Sequence, residues 1–299
     1  MGYSERTSEQ SSPKGGGIMS QKVPEGALRP SALSNWDDCP RRGAARLFWK
    51  LLAEAGFEIP RIPVHIGAAT GSGTHAAATV MLKAKEQTGE LGSADDANQA
   101  GIEELRKRVE EGVLLDDVSP SMNVAEKQVI RQAAMYRGRI APHLKPHLIE
   151  KRLEAKLPSG LIISGEVDVT VLDGPDTLHD LKTGRVRRCN AAQMGSYSLI
   201  LRSHGEPMRG IVEDYVPRVA LNKEQPNPQA IPYDIAESEQ LARGVMRRLE
   251  RDLAEFKETG NPGAFGCNLN SYLCSPKYCS AFRSEWCPES KLKGGNGNG

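Results

Sequence analysis

The 299-residue sequence predicts an α/β fold, a central mixed sheet flanked by helices, from three observations. Apolar and charged residues alternate across 149–157, and Val167, Val169 and Val171 interleave with Glu166, Asp168 and Thr170, the period-two pattern of half-buried strands. Longer amphipathic runs with helical spacing occupy about 95–111, 124–140 and 235–257. Helices placed before, between and after strands form layers around a sheet, which separates this pattern from an all-β sandwich and from a helix bundle.

Hydrophobic residues make up 38% of the chain, enough for one sizeable core. No apolar run approaches the ~18 residues of a membrane span, and the N-terminus is polar, so a membrane partner and secretion are both unsupported and a cytoplasmic location is expected. Lys and Arg total 39 against 38 Asp and Glu, so nucleic-acid binding would have to come from local basic patches.

Taken in order, residues 1–28 are expected to form a disordered arm and 290–299 a flexible tail, with one domain over 29–289. Ser34-Asn35-Trp36-Asp37 is predicted to be a capping box opening a helix through Leu47, Phe48, Leu51 and Leu52 that stops at Gly56. The glycine-rich stretch 67–73 is expected to be a loop. It lacks the Gly-Lys-Ser/Thr close of a phosphate-binding loop, and Thr74-His75-Ala76 is expected to start a helix running to about Gln87, with Gly89 as its stop. A helical insert over about 90–142 alternates charge sign at Glu103, Glu104, Arg106, Lys107 and Arg108, the mark of a solvated face.

Pro158-Ser159-Gly160 and Asp173-Gly174-Pro175-Asp176 then turn the chain into a three-stranded meander. On its first strand Glu150 and Glu154 are expected to be solvent-facing charges. On its third, Asp180 and Lys182 share a face while Leu181 points into the core. An odd loop, with Leu172 opposite Asp176, sets Asp168 directly across from Asp180; an even loop would turn it to the wrong face. Two carboxylates beside an ammonium suit a divalent cation with hard oxygen ligands, and the matching chemistry is phosphodiester hydrolysis. Beyond them, Gln193 and Tyr197 share one face of a helix, and Arg185, Arg187 and Arg188 lie close enough to neutralise a phosphate backbone without reading bases. A further strand is expected over 211–220. The helix at 235–257 carries a basic stripe of Arg243, Arg247, Arg248 and Arg251, a second candidate DNA contact.

Cys267, Cys274, Cys279 and Cys287 fall within 21 residues, over a cysteine-cluster segment 262–289. Without evidence for an oxidising compartment, thiolate ligation of a metal is favoured over disulfides, and both zinc and an iron–sulfur cluster accept four thiolates. Cys189 stands outside any ligand spacing and is expected to be a free thiol.

Gly165-Glu166-Val167-Asp168, Asp180-Leu181-Lys182-Thr183-Gly184 and the Gln193…Tyr197 helix resemble, in order and spacing, the core of the PD-(D/E)XK nuclease superfamily in its RecB-like branch. The C-terminal cysteines add a likeness to the iron–sulfur nucleases of the AddB and CRISPR-adaptation type, and the resemblance spans about Ser31 to Cys287. It implies a restriction-endonuclease-like core with Asp168, Asp180 and Lys182 as catalytic residues, and Mg2+ or Mn2+ held by Asp168, Asp180 and the helix-borne His75. Gln193 and Tyr197 would bind or orient DNA. It also implies a 4Fe–4S cluster on Cys39, which opens a Cys-Pro-Arg motif, with Cys274, Cys279 and Cys287; Cys267 is the alternative to Cys39, and Zn2+ the alternative metal. The function so implied is a metal-dependent DNA nuclease, an exonuclease on DNA ends or single strands in recombination or repair, of phage or chromosomal origin and in the former case working in the host cytoplasm. The competing expectations are a non-catalytic DNA-binding or assembly subunit of the same fold and a zinc-stapled interaction protein.

Overall fold

The computed structural model describes residues 27–172 and 176–293. The arm up to residue 26, the reversal at 173–175 and the tail beyond 293 lie outside the described residues. Three short helices, α1 (Leu33–Asp38), α2 (Pro40–Leu47) and α3 (Trp49–Glu54), lead to the two-residue strand β1 (Val64–His65). The helical layer follows as α4 (Ile66–Thr88), α5 (Ala94–Arg108), β2 (Val113–Leu114) and α6 (Met122–Arg139). The sheet strands are β3 (Pro146–Lys156), β4 (Ile162–Val171) and β5 (Thr177–Lys182), then α7 (Ala191–Ser203), β6 (Gly210–Tyr215), β7 (Gln229–Tyr233) and α8 (Ile235–Thr259).

The five long strands form one mixed sheet in the order β3-β4-β5-β6-β7, the α/β arrangement the sequence predicts. Every pair is antiparallel except β5–β6. A parallel pair needs a crossover, and α7 supplies it. β7 was not anticipated. It is five residues long, holds Pro232 and pairs only with β6, so it sits at the edge, where a missing backbone N–H is tolerated. The strand expected over 211–220 stops at Tyr215, two residues before Pro217.

Three other expectations are corrected. Ser34 lies inside α1 and its hydroxyl bonds back to the Ser31 carbonyl, so no capping box forms there; a side-chain cap does form at α4, where His65 Nδ1 accepts from Gly67 N at 3.3 Å. The run through Leu47 to Leu52 is divided between α2 and α3, with Phe48 at their junction, and Gly56 follows them at φ +88°. The glycine-rich 67–73 is not a loop but the first two turns of α4. Its glycines serve packing: a Cβ at Gly73 would come within 2.6 Å of the Gly101 carbonyl oxygen, so α4 and α5 approach backbone to backbone.

Helices cover the sheet in two groups. Val167, Leu178 and Ile211 pack with Ile200 and Leu201 of α7 and Leu249 and Leu253 of α8, whereas Val169, Val171 and Leu181 pack with Ala78 and Leu82 of α4 and Tyr136 of α6. The first cluster continues into the ends of the described chain. Trp36 meets Phe48 and Phe265 edge to face, with centroids 5.9 and 5.5 Å apart, and Trp286 meets Phe57 and Phe256 at 5.1 and 5.3 Å. Such pairs contribute about 0.5–1.5 kcal/mol each beyond the area they bury. The segment around Cys39 is thereby packed against the one around Cys287, which the aromatic positions alone do not disclose.

Candidate metal centre

β4 and β5 pair Val169 with His179, Thr170 with Leu178 and Val171 with Thr177, which one step further places Asp168 across from Asp180. This is the odd register. The two carboxylates are engaged from different helical layers. Asp168 Oδ1 lies 3.3 Å from His75 Nδ1 of α4, and its Oδ2 accepts from Leu181 N at 2.7 Å. Asp180 faces α7, where the Gln193 amide donates to Oδ1 at 3.4 Å, and its Oδ2 is ion-paired with Lys182.

A third carboxylate completes the group. Glu150 sits on β3 between Ile149 and Lys151, which pair with Val169 and Val167, so it lies opposite Asp168; its φ is +48°. That left-handed conformation is uncommon for a non-glycine residue. Thr79, one turn beyond His75 on α4, donates its hydroxyl to Glu150 Oε1 at 3.1 Å. Donor atoms of His75, Glu150 and Asp168 then lie within 4.8 Å of one another, a set able to share one cation. The solvent-facing role expected for Glu150 is therefore wrong: the irregular backbone re-aims the side chain inward, and strict strand alternation cannot forecast that.

A cavity of about 10 Å³ lies against this group, lined also by Tyr136, His179, Leu181 and Asp214. That is room for about one water or ion. His179 Nδ1 is 3.0 Å from the buried carboxylate of Asp214, and neither residue was singled out by the sequence. Support comes from α6 as well. Gln132, buried, donates to the carbonyls of Thr183 at 3.2 Å and Val216 at 2.9 Å, holding together the chain that leaves β5 and β6.

The charges are strongly coupled by burial and proximity. Burial pushes the Asp180 carboxyl up to about 6, with Asp168 adding to it against the pull of Lys182. Glu150 is pushed up to about 7 by burial and by the Asp168 charge. For Asp168 burial acts upward too, but His75, Lys182 and the Leu181 N–H outweigh it and hold this carboxyl below its ordinary value. Burial opposes the imidazolium of His75, yet Asp168 and Glu150 raise it to about 9. Lys182 keeps its proton more firmly than usual because Asp180 and Asp168 overcome burial. Clustered carboxylates and an imidazole make a donor set that fits a hard divalent cation.

The other expected site residues fall in two places. Gln193 and Tyr197 are both buried on α7. The ring of Tyr197 lies so close to Gly165 that a Cβ there would approach Cε1 to 2.7 Å, so the glycine before Glu166 leaves room for the tyrosine. Arg185, Arg187 and Arg188 are on the surface after β5; Arg185 pairs with Asp117 at 2.7 Å and Arg187 with Glu213 at 3.1 Å. On α8, Arg243 approaches Glu239 at 3.9 Å, Arg251 pairs with Asp252 at 2.8 Å, and Arg248 bonds to the Trp36 carbonyl.

Cys39, Cys274, Cys279 and Cys287 are buried, Cys267 is half-buried and Cys189 is exposed; all are free. Arg41 is buried and donates to the carbonyls of Phe265 at 2.9 Å and Trp286 at 2.6 Å, while the Trp286 indole N–H donates to the Arg41 carbonyl at 3.0 Å. Ser271 bonds to the Asp38 carboxylate at 2.7 Å. These contacts bring Cys39 within electrostatic range of Cys267, Cys274 and Cys279. Burial raises the thiols of Cys267, Cys274, Cys279 and Cys287, that of Cys279 to about 11, so a bound metal would have to displace their protons. Among the described residues, no three cysteine sulfurs lie within 4.8 Å of one another.

No family model and no curated protein matches the chain. Among solved structures, a protein from Eubacterium rectale provisionally named an exonuclease aligns over 87% of this chain and 93% of its own, with 10% identity and a TM-score of 0.48. A second, bearing only a locus designation, aligns over 70% and 92% with 10% identity and a TM-score of 0.25. At these scores neither likeness bears on what the chain does. Among the described residues no helix is long and apolar enough to cross a membrane.

Proposed function

We propose that this chain is a divalent-metal-dependent DNA nuclease of the PD-(D/E)XK type, an exonuclease acting on DNA ends or single strands. One observation carries the proposal: Asp168 and Asp180 stand across a strand pair with Lys182 beside them, and Glu150 and His75 close the group at a cavity of ionic size. His75, Glu150 and Asp168, with Asp180 across the strand pair, would hold Mg2+ or Mn2+. Such a cation lowers the pKa of an attacking water and offsets charge on a scissile phosphate. Lys182 remains protonated and offers the growing negative charge of the phosphoryl oxygens a fixed cation, already partly desolvated and held by Asp180. Gln193 fixes the Asp180 carboxylate from the α7 side, an orienting role that its burial favours over direct contact with DNA.

The cysteine segment takes a structural metal in this proposal, a 4Fe–4S cluster on Cys39, Cys274, Cys279 and Cys287. Four buried thiols next to the Arg41 clasp support it. Zinc, which accepts the same four thiolates, is the alternative metal.

The test is incubation of anaerobically purified protein with end-labelled single-stranded and duplex DNA in magnesium, manganese or EDTA. Ladder-like shortening of the label with either cation, and none in EDTA, is expected. Intact DNA in all three would overturn the assignment.

A further inference from the structure

The surface beside the proposed nuclease centre carries three rings in a row that the catalytic residues do not use. Tyr272 is 78% exposed. Its ring centroid is 5.6 Å from that of Tyr278 at an interplanar angle of 38°, and Tyr278 is in turn 5.7 Å from the His65 imidazole at 35°. Both tyrosines belong to the cysteine segment, on either side of Cys274, whereas His65 is the cap of α4.

Cations frame the row. Lys277 Nζ stands 5.5 Å from the Tyr278 ring centroid, and Arg185 lies within electrostatic range of Tyr272. Arg185 is also paired with Asp117, so its charge is shared, but Lys277 makes no ion pair among the described residues. Both ends of the row lead toward the metal centre. Arg185 follows Lys182 by three residues, and His65 precedes His75 by ten, about 15 Å along α4.

We propose that His65, Tyr278 and Tyr272 form a stacking platform for the unpaired bases of a single-stranded nucleic acid, with Lys277 and Arg185 on its backbone, and that it leads the strand toward the metal centre. Successive rings with interspersed cations suit single strands, because every unpaired base offers a π-face and every linkage a negative charge. A duplex keeps its bases stacked inside and gives such rings nothing to hold. A protein partner is less favoured by the setting, since the charges acting on the exposed tyrosine, Lys277 and Arg185, are cations that suit a phosphate-bearing strand. The inference rests on the nuclease function proposed above and adds its substrate class, bases unpaired on the approach to the site.

Fluorescence anisotropy of the full chain with a labelled single-stranded oligonucleotide, in EDTA so that nothing is cut, tests it. Tyr272→Ala is expected to weaken single-strand binding by about 5- to 150-fold, the loss typical of removing one base-stacking ring. Tyr272→Phe should stay within about threefold of wild type, because the ring and not the hydroxyl holds the base, and affinity for a blunt duplex should change by less than about twofold in either variant. Unchanged single-strand affinity in Tyr272→Ala, or an equal loss on the blunt duplex, overturns the platform. Hydrolysis of a small nitrophenyl phosphodiester by the wild-type protein reports the metal centre separately. Its absence would strike the nuclease function, whereas its presence together with an unaffected Tyr272→Ala would strike only the platform.

Discussion

Thr79 donates its hydroxyl to Glu150 at 3.1 Å from the same face of α4 that carries His75, so one helix orients two members of the proposed ligand set. Glu150→Gln is expected to lower manganese affinity by more than tenfold, since a neutral amide replaces a charged donor in a half-buried group of three. Thr79→Val, which removes only the supporting bond, should cost less, within the ~10- to 100-fold range of outer-shell partners. Calorimetric titration of manganese into both variants checks this. Wild-type affinity in Glu150→Gln would remove Glu150 from the site.

Asp168→Ala, Asp180→Ala and Lys182→Ala are each expected to abolish DNA cleavage with the far-ultraviolet circular dichroism unchanged. The three act on one phosphate and one cation, so double variants should be no worse than single ones. Gln193→Ala should slow cleavage while manganese still binds, because the amide touches Asp180 from the side opposite His75. Full cleavage activity in any of the three alanine variants, or strictly additive losses, would dismantle the centre.

The β4–β5 pair was legible because period-two alternation and loop parity together fix which residues face each other; the facing of Asp168 and Asp180 needed nothing more. Glu150 was not legible. Its inward aim comes with a left-handed backbone angle within the strand, and Ile149-Glu150-Lys151 reads like any solvated alternation. The start of α4 failed for a related reason. Glycines that local propensity assigns to a loop are held close by their neighbours, Gly73 by Gly101 of α5, Gly67 by Arg218 and Gly71 by Thr183, a demand that only tertiary structure reveals. His179 and Asp214 meet across β5 and β6, a parallel pairing that neither residue advertises.

The titration of the site sets a pH dependence for the metal-free protein. Glu150 is raised from 4.5 to about 7 and Asp180 from 3.8 to about 6, so the stability each contributes is present below its unfolded value and lost as pH climbs through the folded one. His75, raised from 6.5 to about 9, acts in the same direction at higher pH. Asp168, lowered, acts oppositely and only at acid pH. Thermal melts are therefore expected to show the metal-free protein losing stability between about pH 5 and 9, and the gain in Tm on adding manganese growing over that window as ligands give up protons. Glu150→Gln should flatten the part of the metal-free curve between about pH 5 and 7. A manganese-induced gain that shrinks with rising pH would contradict the assigned ligands.

The cysteine site should behave as a clasp between distant parts of the chain. Cys39 precedes Cys274 by 235 residues, yet Arg41 binds the carbonyls of Phe265 and Trp286 and Ser271 binds Asp38, so much of the closure is already met by packing and hydrogen bonds. Closing so long a loop costs entropy that rises only slowly with length, and thiolate–metal bonds readily offset it. Cys39→Ser, Cys274→Ser, Cys279→Ser and Cys287→Ser are each expected to bleach the brown visible absorbance of a thiolate-held iron–sulfur centre and to lower Tm, while Cys189→Ser, exposed and remote from the clasp, should do neither. Arg41→Lys separates the two contributions. It keeps one charge but loses the planar fork that reaches both carbonyls, so it should lower Tm even in protein whose absorbance is intact. Cys267 decides the ligand set, since it is half-buried and within range of both Cys39 and Cys287. Bleaching by Cys267→Ser together with an unaffected Cys39→Ser would make the metal a local four-cysteine knuckle, leaving Arg41 and the aromatic cluster to join the two ends without it.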